Sequence, residues 1–118
     1  MKLTERQKEL IDLTVPLDNG HTIVLLNVGG NPEFVGREHN FNIYRIDEDY
    51  QIIWQISHTD DQFAGTPDPK ASMMERCDFS YLSRDEGFIS AVRPIGIEYK
   101  LDPDTGIATF YKHLGYHF

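Results

Sequence analysis

The sequence has little cysteine, few basic residues and no long apolar segment, and each shortage excludes a class of protein. Its single cysteine, Cys77, cannot form an internal disulfide, so the fold has to depend on its apolar core. Lys and Arg number 11 against 19 Asp and Glu, which gives a formal net charge of −8. Because this charge is repelled by phosphates and anionic lipids, we expect neither nucleic acid nor membrane as a partner.

The apolar runs are short, and the longest of them covers only residues 23–26. A membrane-spanning helix needs about 20 apolar residues, and the first residues also lack the apolar stretch of a secretory signal. We therefore expect a cytoplasmic protein. No linker-like stretch divides the 118 residues, which predicts a single domain over residues 1–118. Gly29 and Gly30 are not followed by the residues of a phosphate-binding loop, and we predict no cofactor and no metal.

The strongest structural signal is an alternation of apolar and polar residues. In residues 51–56 one face of the pattern carries Ile52, Trp54 and Ile56. In residues 95–101 the apolar face includes Tyr99 and the opposite face includes Glu98. Since side chains alternate across a strand, both segments are predicted to be strands with one face buried.

The N-terminal third of the sequence predicts a short helix and a hairpin. Thr4 and Gln7 have the spacing of a capping box, which is typical of a helix that would extend to about Leu10. The Asn-Gly pair at residues 19–20 is typical of a tight turn between two strands. The second strand is apolar on both faces, as in the centre of a sheet, and Pro16 predicts that the first strand lies at an edge or is broken there.

Further hairpins complete the predicted fold. Residues 44–52 and 99–107 share a Tyr, a basic residue, an aliphatic residue and an Asp-x-Asp turn, and residues 79–92 suggest another hairpin. The fold class is therefore mainly β, or α+β with one short N-terminal helix. We expect about eight short strands in an antiparallel sandwich or a partly open barrel. Residues 29–40 and 57–78 lie outside this pattern and are interpreted as loops.

Candidate catalytic residues are concentrated at the start of the second loop. His58 with Asp60 and Asp61 is a combination that can transfer protons, because imidazole titrates near neutral pH. The same carboxylates also serve to turn a chain, and this is the more common use. Cys77 follows an arginine that would favour its thiolate, although a lone cysteine is more often a small buried residue.

Three hypotheses about function remain. The first is an inhibitor-like or immunity-like protein-interaction module, whose carboxylates Asp47, Glu48, Asp49, Asp60 and Asp61 bind a basic protein partner. The second is a small-ligand-binding domain or small enzyme with a pocket near residues 57–78. The third is a structural subunit of a homo-oligomer, assembled through a strand edge or the aromatic C-terminal tail. The three hypotheses are ranked in this order, so protein binding is favoured over catalysis.

Overall fold

The described chain contains two short helices and nine short strands. The computed structural model describes residues 1–58, 78–85, 87–94 and 96–114. Its helices are α1 (Glu5–Glu9) and α2 (Arg37–Asn40). Its strands are β1 (Ile11–Pro16), β2 (Thr22–Leu26), β3 (Ile43–Ile46), β4 (Ile52–Gln55), β5 (Ser57–His58), β6 (Tyr81–Asp85), β7 (Phe88–Arg93), β8 (Ile97–Leu101) and β9 (Ile107–His113).

The strands form two sheets. The first sheet has the order β1-β2-β3-β4 and is antiparallel throughout. The second sheet has the order β5-β9-β8-β7-β6 and is antiparallel except for the parallel pair β5 and β9. The mainly β prediction is confirmed, with nine strands in the described ranges instead of about eight. The edge position predicted from Pro16 is also confirmed, because β1 is the outer strand of the first sheet.

The main core lies between the two sheets, and a second core lies behind the first sheet. Ile23 and Leu25 of β2 belong to the main core, whereas Val24 and Leu26 belong to the second one. The second core also contains Leu3, which comes just before α1. Because both faces of β2 are covered, its continuous apolar sequence is explained. The molecule is thus a sandwich, and the segments on either side of α1 help to cover the outer face of its first sheet.

The predicted capping box at the N-terminus is confirmed. The Thr4 hydroxyl accepts a hydrogen bond from the Gln7 backbone N–H at 3.1 Å, and the Gln7 side chain accepts one from the Thr4 N–H at 2.8 Å. These bonds satisfy two donors that have no partner within a helix. None of the helix residues is buried. Because packing on the core therefore stabilises the helix little, the hydrogen bonds of the cap matter more for its stability.

Strand β4 is present as predicted, but its side chains do not all face the same way. The pairing register shifts between Arg45 and Ile46, so that Ile46 pairs with Ile52 while Arg45 pairs with Trp54. Ile53 is the extra residue of this bulge and is 46% exposed. Ile52 packs on the second core and Trp54 lies in the main core. The bulge therefore corrects the prediction that both residues share one buried face.

The two segments interpreted as loops have different outcomes. Residues 29–40 contain the single helical turn α2. Residues 57–78 begin with the short strand β5, and only residues 57, 58 and 78 of this segment are described. The described part of the chain contains no helix with both the length and the apolar content to span a bilayer.

Candidate functional site

Three turns from both sheets lie at one end of the sandwich, and Arg45 bonds to two of them. Arg45 is 9% exposed; its Nε donates to Nδ1 of His21 at 3.0 Å, and its Nη1 donates to the backbone oxygen of Pro103 at 2.8 Å. The same oxygen accepts the indole N–H of Trp54 at 2.8 Å. We call this region, residues 17–21, 47–51 and 102–106, the acidic loop end.

Two carboxylates of the acidic loop end shape its turns. Asp47 Oδ1 accepts backbone hydrogen bonds from Asp49 at 2.8 Å and Gln51 at 2.9 Å, and Asp102 Oδ1 accepts one from Asp104 at 2.9 Å. The bond from Gln51 is the main reason why the pKa of Asp47 lies below its ordinary value. The two similar hairpins therefore share turn chemistry, since an Asp side chain holds the backbone in each.

Four other carboxylates of the acidic loop end face solvent. They belong to Asp18, Glu48, Asp49 and Asp104. Asp104 lies 3.7 Å from Arg45 and its side chain is 89% exposed. The cations beside the turn at residues 47–51 include the ammonium group of Met1, which donates to Gln51 Oε1 at 3.4 Å. They also include Lys2, which pairs with Gln51, and Lys8, whose Nζ lies 4.4 Å from the ring centre of Tyr50. This end of the molecule thus carries more negative than positive charge.

The predicted binding and catalytic residues are only partly placed by the structure. Asp47, Glu48 and Asp49 lie together at the acidic loop end. Asp60, Asp61 and Cys77 lie outside the described residues, so the predicted grouping around His58 remains a prediction. His58 itself lies between the sheets, with its ring 5.3 Å from Phe41 and 5.9 Å from Tyr99, nearly parallel to the latter.

Beside His58 the core contains a charged residue that the sequence analysis missed. Arg93 is completely buried; its guanidinium lies 4.1 Å from the ring centre of Phe79, and its Nη1 donates to the Asn40 backbone oxygen at 3.1 Å. Burial raises the pKa of the neighbouring Tyr99 hydroxyl, and the Arg93 charge acts in the opposite direction. The sequence signal was the position of Arg93 in the series Ile89, Ala91, Arg93, which faces the core.

A second concave region lies on the other side of the second sheet. Alternation places Ser90 and Glu98 on the face opposite to the core residues of β7 and β8. Glu98 is nevertheless only 6% exposed, and it lines a groove of about 570 Å³. The sequence predicted the polar face of this strand correctly but gave no sign that Glu98 would be buried, because burial here depends on neighbouring strands.

No three His, Cys, Asp or Glu side chains of the described ranges come together as metal ligands. The site residues together with the two packed sheets define the chain as a β-sandwich with an acidic end and a polar groove. No family model, curated protein or solved structure matches this chain. Its function is therefore argued from its own residues.

Proposed function

We propose that this chain is a protein-binding module of the inhibitor-like or immunity-like kind, which binds a basic surface of another protein through its acidic loop end. The observation that carries the proposal is the gathering of Asp18, Glu48, Asp49 and Asp104 on three adjoining turns. A concentrated negative charge attracts a basic protein from a distance and orients it before contact. The formal net charge of −8 acts in the same direction.

The turns that carry these carboxylates are held in place internally. Asp47 and Asp102 bond to the backbone of their own turns, and Arg45 links the third turn to the core. A partner therefore meets carboxylates on a backbone that is already ordered. This arrangement favours binding, because less conformational entropy is lost when the complex forms.

The proposal is tested with two variants that remove equal charge from opposite ends of the molecule. The loop-end variant carries Glu48→Gln, Asp49→Asn and Asp104→Asn. The control variant carries Glu9→Gln, Asp12→Asn and Glu38→Gln, whose positions adjoin the other ends of the strands. Asp47 and Asp102 are left unchanged because they hold turns. Asp60 and Asp61, which the sequence assigned to the same surface, are also left unchanged.

The probe is a labelled oligoarginine peptide, whose association rate is measured by stopped-flow fluorescence at low and high salt. We expect the loop-end variant to associate more slowly by roughly an order of magnitude at low salt and to show a weaker salt dependence. The control variant should stay close to the unaltered protein. Equal slowing in both variants would mean that net charge alone attracts the peptide, and the assignment to the acidic loop end would be wrong.

A further inference from the structure

The groove on the outer face of the second sheet has a polar floor and an aromatic rim. Ser83 of β6 pairs with Ser90 of β7, and Tyr81 pairs with Val92 one step further along the same two strands. Glu98 of β8 lies opposite Val92. The Tyr81 side chain is 53% exposed, whereas Ser90 and Glu98 are buried. With a volume of about 570 Å³, the groove is in the size range of small-molecule sites.

Glu98 is a buried carboxylate with one oxygen that accepts no hydrogen bond from the described residues. Its Oε2 accepts the Ser90 hydroxyl at 2.6 Å. Its Oε1 lies 3.9 Å from Nζ of Lys112, which is too far for a hydrogen bond. Oε1 is not one of the fully buried atoms that lack a partner in the described residues, so it is in contact with the open space of the groove. The groove therefore offers an acceptor that a ligand can satisfy.

The charges around the groove indicate what kind of donor fits. The negative residues Asp85 and Glu98 in the lining are matched by two positive residues beside it, Lys100, which pairs with Ser90, and Lys112. An ammonium group at Oε1 would be repelled by Lys112, and an anion would be repelled by Glu98. A hydroxyl group can donate to Oε1 and accept from Nζ of Lys112 at the same time. A neutral hydroxylated molecule is thus favoured over either ion.

We infer that the groove binds a neutral, polyhydroxylated small molecule of the saccharide class. One ligand hydroxyl donates to Glu98 Oε1, and others contact the hydroxyls of Ser83 and Ser90. The apolar face of the sugar ring lies against the ring of Tyr81 at the rim. This site is separate from the acidic loop end, so it is independent of the proposed protein partner.

The inference is tested on the full chain by NMR titration with maltose, cellobiose and diacetylchitobiose. We expect saturable shifts at groove residues with at least one of these sugars. The variant Glu98→Gln should weaken this binding at least tenfold, because a neutral amide is a weaker acceptor than a carboxylate. Tyr81→Ala should also weaken it several-fold. Tyr50→Asn, which removes an exposed ring from the turn between β3 and β4, should leave the affinity unchanged.

Three results would overturn the inference. They are the absence of saturable shifts with every sugar, an unchanged affinity in Glu98→Gln, and tighter binding of 1,5-diaminopentane than of any sugar. Thermal melting shows whether each variant is folded. If Glu98→Gln fails to fold, Tyr81→Ala and Ser83→Ala decide the matter, since both residues lie at the wall of the groove and neither side chain is fully buried.

Discussion

Asn42 shows how one buried polar residue can link two parts of a fold. Its side-chain amide donates to the backbone oxygens of Leu26 at 2.8 Å and Phe79 at 2.9 Å. Its side-chain oxygen accepts the Phe79 N–H at 2.7 Å. The residue is completely buried. It therefore connects β2 with the segment that leads into β6, and only an amide has both the donors and the acceptor for this position.

We expect Asn42→Asp to destabilise the protein by about 3 kcal/mol or more at pH 7. The change takes a donor from two carbonyl oxygens, of which that of Leu26 keeps the Val28 N–H, and it places a buried negative charge against both. Urea denaturation gives the free energy of unfolding. The loss should become smaller at low pH, where the new carboxyl group is protonated and neutral. An effect below about 0.5 kcal/mol, as at surface sites, would contradict this role.

Trp54 is the residue on which the two hairpins meet. It is 9% exposed, and a Cβ added to Gly106 would lie about 2.5 Å from its ring. Gly106 also has a φ of 76°, so the close approach and the backbone both require glycine. The contact explains why an exposed turn of the second sheet ends against a core residue of the first.

Trp54→Ala should reduce the free energy of unfolding by about 3 to 5 kcal/mol, because it removes a large buried side chain and leaves a cavity. The Pro103 backbone oxygen also loses one of its two donors. Chemical denaturation measures the change. The matched control is Ile53→Ala at the adjacent exposed bulge position, where a much smaller loss is expected. Similar losses at both positions would contradict the assignment of faces in β4.

At the scale of elements, the β3–β4 hairpin depends on the ionised form of Asp47. Its lowered pKa means that the folded state favours the carboxylate. The stabilisation is therefore present above the ordinary pKa of Asp, about 3.9, and is lost as the pH falls through the lower folded value. Because the Asp47 carboxylate accepts the backbone hydrogen bonds of this turn, its protonation is expected to lower the free energy of unfolding of the protein.

Asp47→Ala is expected to destabilise the protein at pH 7 and to have progressively less effect below about pH 4. Urea denaturation of both proteins between pH 7 and pH 2.5 measures the difference. Asp49→Ala is the control, because the Asp49 side chain is exposed and its backbone N–H still bonds to Asp47. A difference between unaltered protein and Asp47→Ala that stays constant over this range would refute the role of the carboxylate.

At the scale of the whole molecule, repulsion between the carboxylates of the acidic loop end is expected to destabilise the folded state. Since salt screens exposed charges, we expect sodium chloride to raise the melting temperature by about 4 °C, corresponding to roughly 1 kcal/mol. Calorimetry at low and moderate salt measures this shift. The loop-end variant should melt higher at low salt and respond less to salt, whereas the control variant should keep most of the response. A salt response that is the same in all three proteins would place the repulsion elsewhere.

Much of the strand pattern was predictable because it depends on local alternation and turn chemistry. The capping box at Thr4, the edge position of β1 and the central position of β2 all follow from neighbouring residues and were confirmed. The β4 bulge at Ile53 was not predictable, because it depends on pairing with β3. The same holds for the candidate site. Its acidic turns were predictable from the sequence, whereas their proximity at one end of the sandwich was not, because it depends on the order of the strands.

The sequence by itself determined that this protein is mainly β, strongly acidic and dependent on an apolar core, because composition and period-two alternation are properties of the chain. Only the tertiary structure decided that Arg45 joins a turn of each sheet, that Arg93 is buried between the sheets and that Glu98 lies in a groove. These features depend on residues distant in sequence and on the order of strands. Alternation shows which face a side chain occupies, whereas what covers that face is decided only by packing.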